Sequence, residues 1–279
     1  MFEADVVSST VPRGAAASEA VSHGFIAPSG TRIGYETYGE GPPLVLIHGG
    51  FSDHRTNWAY VKPLLEPHST VHVLARRGRG ATDATVGHGL EDEMEDAAAL
   101  IRRIGTPVFL LGHSYGAHVA LGAAARVPTS VWKLVLYEAP WPHLLDAAMM
   151  APLEAQVSVG DWDGFATMFF TDVLAVPPEV LDAIRGTEDW EAIVADAPAS
   201  LGDLRALSRY VFEPERYSAL TMPVLLQVGS ESPPEFYATD ALAAVLSNAS
   251  IGDLEGQAHE GMTTAPEQYA DAIRRFLEA

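Results

Sequence analysis

Five apolar runs punctuate the chain: LVLIH (44–48), VHVLA (71–75), PVFLLG (107–112), VWKLVLY (131–137) and PVLLQVG (223–229). None shows the strict alternation that one wet face would impose, so the pattern predicts strands of a parallel sheet buried on both faces. Between and after them, helical periodicity predicts helices over Leu90–Ile104, Tyr115–Val127, Thr239–Leu246 and Pro266–Leu277, with ASIGDL (249–254) as a last strand. Ahead of the first run, SHGFIAP and TRIGYETYG are separated by Pro28, Ser29 and Gly30, which reads as an antiparallel hairpin. Strands alternating with helices in this way imply an α/β fold with helices on both faces of the sheet.

The alternation fails from 140 to 217, a stretch rich in Trp and Phe that reads as a helical cap inserted after one strand. The expected organisation is therefore a loosely docked arm at 1–20, a core made of 21–139 and 218–279, and a cap at 140–217. Most aromatic side chains in such a cap pack its own helices. A minority, with Trp141 and Phe169 as the candidates, is expected to line a substrate pocket together with Phe51 of the loop after the first run.

Composition narrows the function classes. The 279 residues carry 37 acidic against 17 basic side chains, a formal charge of −20 that opposes binding to a phosphate backbone. Nucleic acid is not an expected partner. The absence of cysteine removes disulfides, thiolate metal sites and a cysteine nucleophile, and leaves the redox compartment open. No apolar run approaches the roughly 18 residues of a membrane span, and the first twenty residues lack the basic start and apolar stretch of a secretory signal. A cytoplasmic protein without membrane insertion is expected.

Three motifs carry chemistry. Gly112-His113-Ser114-Tyr115-Gly116 follows the strand FLLG and opens an alanine-rich helix, the context in which a serine is forced onto a sharp, strained turn with its hydroxyl exposed. His48-Gly49-Gly50-Phe51 ends the first run, where glycines turn the chain sharply and leave a backbone N–H for an oxyanion hole. Gly50 and Tyr115 are the expected N–H donors, and His48 is read as structural. His259, in GQAHEGM near the far end of the alternating pattern, follows the serine in the order expected of a nucleophile and its general base. The basic run Arg76-Arg77-Gly78-Arg79 reads as a brace between loops and carboxylates, with contact to an anionic substrate as the other possibility.

With these motifs in place, the chain resembles an α/β-hydrolase from about Ser22 to Phe276. The phrases LIHGG, ARRGRGAT, LLGHSYG, LVLYEAP, VGSESPP and GQAHEGMTTAPEQYADAIRRFL are similar to those of a bacterial capped subgroup of serine esterases and lactonases. The resemblance implies acyl or related transfer at serine without a cofactor. It leaves two acids for the triad. The commonest pattern places an aspartate three residues beyond the glycine ending the next-to-last strand, where this chain has Ser232, with Glu231 one residue early. The alternative is Glu138 at the end of VWKLVLY, a position where haloalkane dehalogenases and zearalenone-type lactonases resemble this chain in placing a catalytic glutamate. Glu138 is preferred, and Glu231 stays open.

The expected function is hydrolysis of an ester or lactone of a mainly apolar small molecule by Ser114, His259 and an acid, in a monomer or homodimer. Carbon–carbon hydrolysis or cofactor-free lyase chemistry with the same groups is a second possibility. A weakly catalytic binding protein of the same fold is a third.

Overall fold

The structure is a computed structural model and describes residues 19–279. Most of the arm expected at 1–20 therefore lies outside the described residues. One eight-stranded sheet organises the chain in the order β1-β2-β4-β3-β5-β6-β7-β8. The strands are β1 (Val21–Ile26), β2 (Arg32–Tyr38), β3 (Pro43–Ile47), β4 (Thr70–Leu74), β5 (Val108–His113), β6 (Val131–Tyr137), β7 (Val224–Gly229) and β8 (Ala249–Leu254). β1 and β2 form the expected antiparallel hairpin, and β2 also runs antiparallel to β4. The remaining neighbours are parallel.

Burial explains the continuous apolar runs. Leu44, Val45, Leu46 and Ile47 are all fully buried, with Val45 and Ile47 in one core and Leu44 and Leu46 in the other. Ten α-helices accompany the sheet among the described residues. Those of the core are α1 (Lys62–Leu65), α2 (Leu90–Ile104), α3 (Tyr115–Arg126), α8 (Thr239–Val245), α9 (Gly261–Thr264) and α10 (Pro266–Glu278). The alanines of α3 let it lie close to its neighbours. At Gly122 even one added carbon would run into the side chain of Met94 on α2.

Between β6 and β7 the described chain forms no strand. It forms α4 (Ala147–Ser158), α5 (Trp162–Met168), a π-helical turn (Phe169–Val173), α6 (Pro178–Ile184) and α7 (Glu188–Ser208). Local caps start several of these helices. Asp146 accepts the Ala148 and Met149 N–H groups, Asp161 accepts Gly164 N–H, and Thr187 accepts Trp190 N–H. No helix among the described residues is long and apolar enough to cross a membrane.

Candidate active site

Ser114 sits between β5 and α3 with φ 55° and ψ −124°, a conformation that a residue bearing a Cβ seldom adopts. Its neighbours make the turn possible. A Cβ on Gly112 would strike the Gly116 carbonyl, and one on Gly116 would strike the carbonyls of Ile47 and His48. The Ser114 N–H donates to the Tyr137 carbonyl at 2.8 Å, which ties the turn to β6. Four non-glycine residues among those described have positive φ: Phe51, Ser114, Glu138 and Ala175. The first three belong to the motifs singled out in the sequence, and strain of this kind concentrates where function over-determines the backbone.

β6 delivers a buried carboxylate. Glu138 follows Tyr137 directly, is 1% exposed, and places Oε2 2.6 Å from His259 Nδ1. Its Oε1 accepts the Gly229 N–H at 2.7 Å. Burial would push this carboxyl up, but the hydrogen bond and charge of His259, with the Gly229 N–H, outweigh it and hold it below the usual carboxylate value. His259 answers in the opposite sense. Burial pulls its pKa down, yet the hydrogen bond and charge of Glu138 prevail and raise it above the ordinary 6.5. Glu231 is exposed, and its backbone N–H, donated to the Gln257 carbonyl at 2.9 Å, is what supports the histidine loop. Of the two sequence-level acids, Glu138 is the one that meets His259.

Tyr137 and Tyr237, which sequence reading passed over, and the elbow's own His113 hold this pair. Tyr137 donates its hydroxyl to the Ala258 carbonyl and accepts the Gly261 N–H at 3.2 Å, so it grips the loop on both sides of His259. The Tyr237 ring stacks on the imidazole at 5.4 Å and 16°. His113, the middle letter of the elbow motif, donates from Nε2 to the His259 carbonyl at 3.1 Å, and burial pushes its own imidazole well below the ordinary pKa. His118 is fully buried and donates to the Pro140 carbonyl at 2.6 Å, a packing role.

The loop after β3 lies against the elbow. A Cβ on Gly49 would stand 3.1 Å from Ser114 Cβ, so the missing side chain is what lets the two loops meet. His48 is fully buried and structural: Nδ1 donates to the Gly49 carbonyl at 2.8 Å and Nε2 accepts the Arg76 N–H at 3.3 Å. Phe51 stacks on Phe169 at 4.5 Å, with Phe165 at 5.6 Å and Phe170 at 5.3 Å, joining this loop to α5 and the π-helical turn. Trp141, the third pocket candidate, contacts His143 and Phe212 and lines a cavity of about 170 Å³, and its backbone N–H donates to the Phe236 carbonyl at 2.9 Å as the chain leaves β6.

The basic run braces loops. Arg77 makes a two-point pair with Asp96, while Arg76 and Arg79 both bind Asp203. Among the described residues two groups have the donor types of a cation site, His113 with His259 and Glu260, and His88 with Glu93 and Asp203. Their donors are already committed. His259 Nδ1 is bound to Glu138 and His113 Nε2 to a carbonyl, and Arg76 holds both Glu93 and Asp203.

A sequence profile described as the alpha/beta hydrolase family matches residues 44–272 of this chain. The chain belongs to the alpha/beta hydrolase family. Its sequence is 29% identical over 265 residues to the 2-(acetamidomethylene)succinate hydrolase of Mesorhizobium japonicum, covering 86% of this chain and 90% of that protein. An alpha/beta hydrolase from Sphaerobacter thermophilus superposes with a TM-score of 0.79 at 30% identity, over 91% of this chain and all of that one. The enol-lactonase of Burkholderia xenovorans shares the fold, with a TM-score of 0.74 at 17% identity over 92% of this chain and all of that one. Family membership puts this chain's strained serine, its histidine loop and its buried Glu138 in a fold that hydrolases share.

Proposed function

We propose that the protein is a serine hydrolase that cleaves an ester or lactone of a mainly apolar small molecule through an acyl-enzyme on Ser114. The observation that carries this reading is the 2.6 Å contact of His259 Nδ1 with buried Glu138, on a loop beside a strained serine at a strand-to-helix turn. In this mechanism Ser114 Oγ attacks the carbonyl carbon and passes its proton to His259 Nε2. Glu138 keeps Nδ1–H oriented and stabilises the imidazolium. The N–H groups of Gly50 and Tyr115 take the negative charge that develops on the carbonyl oxygen. Collapse breaks the C–O bond, and His259 returns the proton to the departing alkoxide. Water, deprotonated by the same imidazole, then releases the acid.

The Phe51, Phe165, Phe169 and Phe170 rings support an apolar substrate, and a net charge of −20 disfavours a polyanionic one. A second reading, cleavage of an amide or carbon–carbon bond by the same groups, draws support from the relative named for hydrolysis of an acetamido compound.

The deciding experiment is incubation with a fluorophosphonate, read by intact mass beside Ser114→Ala. A single adduct on the wild type that is absent from the variant is expected. An unlabelled wild type, or equal labelling of the variant, would remove Ser114 as the nucleophile.

A further inference from the structure

The Gly49–Gly50–Phe51 loop is fastened from behind by the cap. Its Gly49 N–H donates to Asn57 Oδ1 at 3.1 Å, and its Gly49 carbonyl accepts Arg76 Nη2 at 2.9 Å as well as His48 Nδ1. Phe51 N–H donates to Ser200 Oγ at 2.6 Å, so this N–H is already spent inside the protein. Between them stands Gly50. In a trans peptide the C=O and the next N–H point in opposite directions. With the Gly49 carbonyl turned to Arg76, the Gly50 N–H is turned away from it.

The groups that hold this peptide lead to α7. Arg76 donates to Asp203 Oδ2 at 2.6 Å and Oδ1 at 3.0 Å, and to Glu93 at 3.0 Å. Arg79 reaches the same Asp203 Oδ2 at 2.7 Å, Asp196 at 2.9 Å and Ser200 Oγ at 3.1 Å. Ser200 Oγ donates its proton to Asp196 at 2.7 Å, which leaves its lone pairs to accept from Phe51 and Arg79. Asp196, Ser200 and Asp203 recur at i, i+4 and i+7, one face of α7. Arg76, Arg79, Ser200 and Asp203 are each 3% exposed or less. The same cluster also reaches the elbow, because Tyr115 donates its hydroxyl to Glu93 at 2.9 Å and Arg76 stacks over its ring at 4.3 Å.

We propose that Ser200 and Asp203 of the cap helix α7, acting with Arg76 and Arg79, are positioning residues that set the Gly50 N–H as an oxyanion donor. The reactivity of Ser114 is then coupled to the seating of the cap. This rests on the reading of Ser114 as nucleophile. All four are buried, and the role assigned to them is to hold the loop rather than to contact substrate. Their effect falls on the transition state, where a donor displaced by a fraction of an ångström loses much of its worth.

The test is Ser200→Ala, which keeps the charges and frees the Phe51 N–H. Steady-state hydrolysis of p-nitrophenyl butyrate is measured beside inhibition by an aryl trifluoromethyl ketone, whose hemiketal oxygen on a serine occupies the oxyanion hole. We expect kcat to fall about 10- to 100-fold, KM to stay within about two-fold and ketone affinity to fall in step with kcat. The thermal midpoint should move by only a few degrees, a split that a purely structural role would not produce. Wild-type kcat and ketone affinity in Ser200→Ala would overturn the proposal, as would a loss confined to KM. A wild type that reacts with neither probe fails at Ser114, and so overturns both readings together.

Discussion

Two buried ionic clusters meet the loops around Ser114, and they differ in how their charges are shared. Glu138 gives one oxygen to the Gly229 N–H and the other to a single imidazole. Asp203 takes contacts from two guanidinium groups at once, and Arg76 and Arg79 each take a second carboxylate, Glu93 and Asp196. An imidazolium exists only while it holds its proton, whereas a guanidinium keeps its charge at every pH at which a protein folds. The first cluster changes charge when one proton moves, whereas the two guanidinium charges of the second are fixed, with His88, 3.2 Å from Glu93, as a titratable neighbour at its edge. Burial raises the carboxyl pKa of Glu93, yet Arg76 and its other partners pull it down to about 2. Buried charge therefore does not by itself mark chemistry. What sets the first cluster apart is an imidazole held between the strained turns at Ser114 and Glu138.

The sharpest way to break the comparison is to remove the charge from the first cluster. Glu138→Gln keeps the shape and one oxygen, but His259 loses the anion that orients it and stabilises its imidazolium. A fall in kcat of about 10³- to 10⁴-fold on a p-nitrophenyl ester is expected, with the fold intact by circular dichroism. The pH profile supplies a second readout. His259 must be neutral to accept a proton, so activity rises with pH through its folded pKa, which Glu138 lifts above 6.5. In the variant that limb should move to lower pH. Stability follows the same linkage. The raised His259 stabilises the fold below its ordinary pKa and loses this as pH rises through the folded value. The depressed Glu138 stabilises above its ordinary value and loses this as pH falls through its own. Near-normal turnover with an unmoved limb would place the acid elsewhere.

The second cluster should respond in stability rather than protonation. Asp203→Asn leaves two buried guanidinium groups sharing fewer anions, and breaking a buried pair in this way costs about 3–5 kcal/mol. Urea unfolding should show a lower midpoint at an unchanged slope. The pH at which activity is half-maximal should stay where it is in the wild type, since His259 and Glu138 are untouched. A shifted pH profile with unchanged stability would reverse the roles assigned to the two clusters.

How much of this was legible in the sequence follows from the range of the interactions involved. The strand after Pro107, the helix over Leu90–Ile104 and the elbow at Ser114 are local, and periodicity with flanking glycines was enough to place them. The Glu138–His259 contact joins residues 121 apart and was reached through order along the chain and resemblance, with Glu231 left open beside it. Tyr137 and Tyr237 gave no signal, because a strand-end tyrosine and a loop tyrosine look like packing until the histidine loop is seen against them. Asp196, Ser200 and Asp203 share a helix face that was visible in principle. Their partners Arg76 and Arg79 lie more than a hundred residues away, and nothing local says that this face meets them. That Trp141 meets His143 and Phe212 while Phe169 meets Phe51 was not legible either, because aromatic content says that a cap packs, and not which ring faces which neighbour.

The smallest effect sharpens the comparison most economically. Glu231→Gln removes the other candidate acid, one residue from Ser232 and two from Gly229, without disturbing the peptide that holds the histidine loop. Its carboxylate is exposed, and its contribution to that loop is the N–H given to Gln257, which the substitution keeps. An exposed charge is screened by salt within about 8–10 Å and has no hydrogen bond to His259 through which to act. Activity should therefore stay within about two-fold of wild type, and stability within about 0.5 kcal/mol. Steady-state kinetics on the same ester and urea unfolding would check both. A loss of a hundred-fold or more here, paired with a mild Glu138→Gln, would mean that the histidine loop swings toward Glu231 during turnover. The 2.6 Å contact with Glu138 would then be a resting state of the loop rather than its working one.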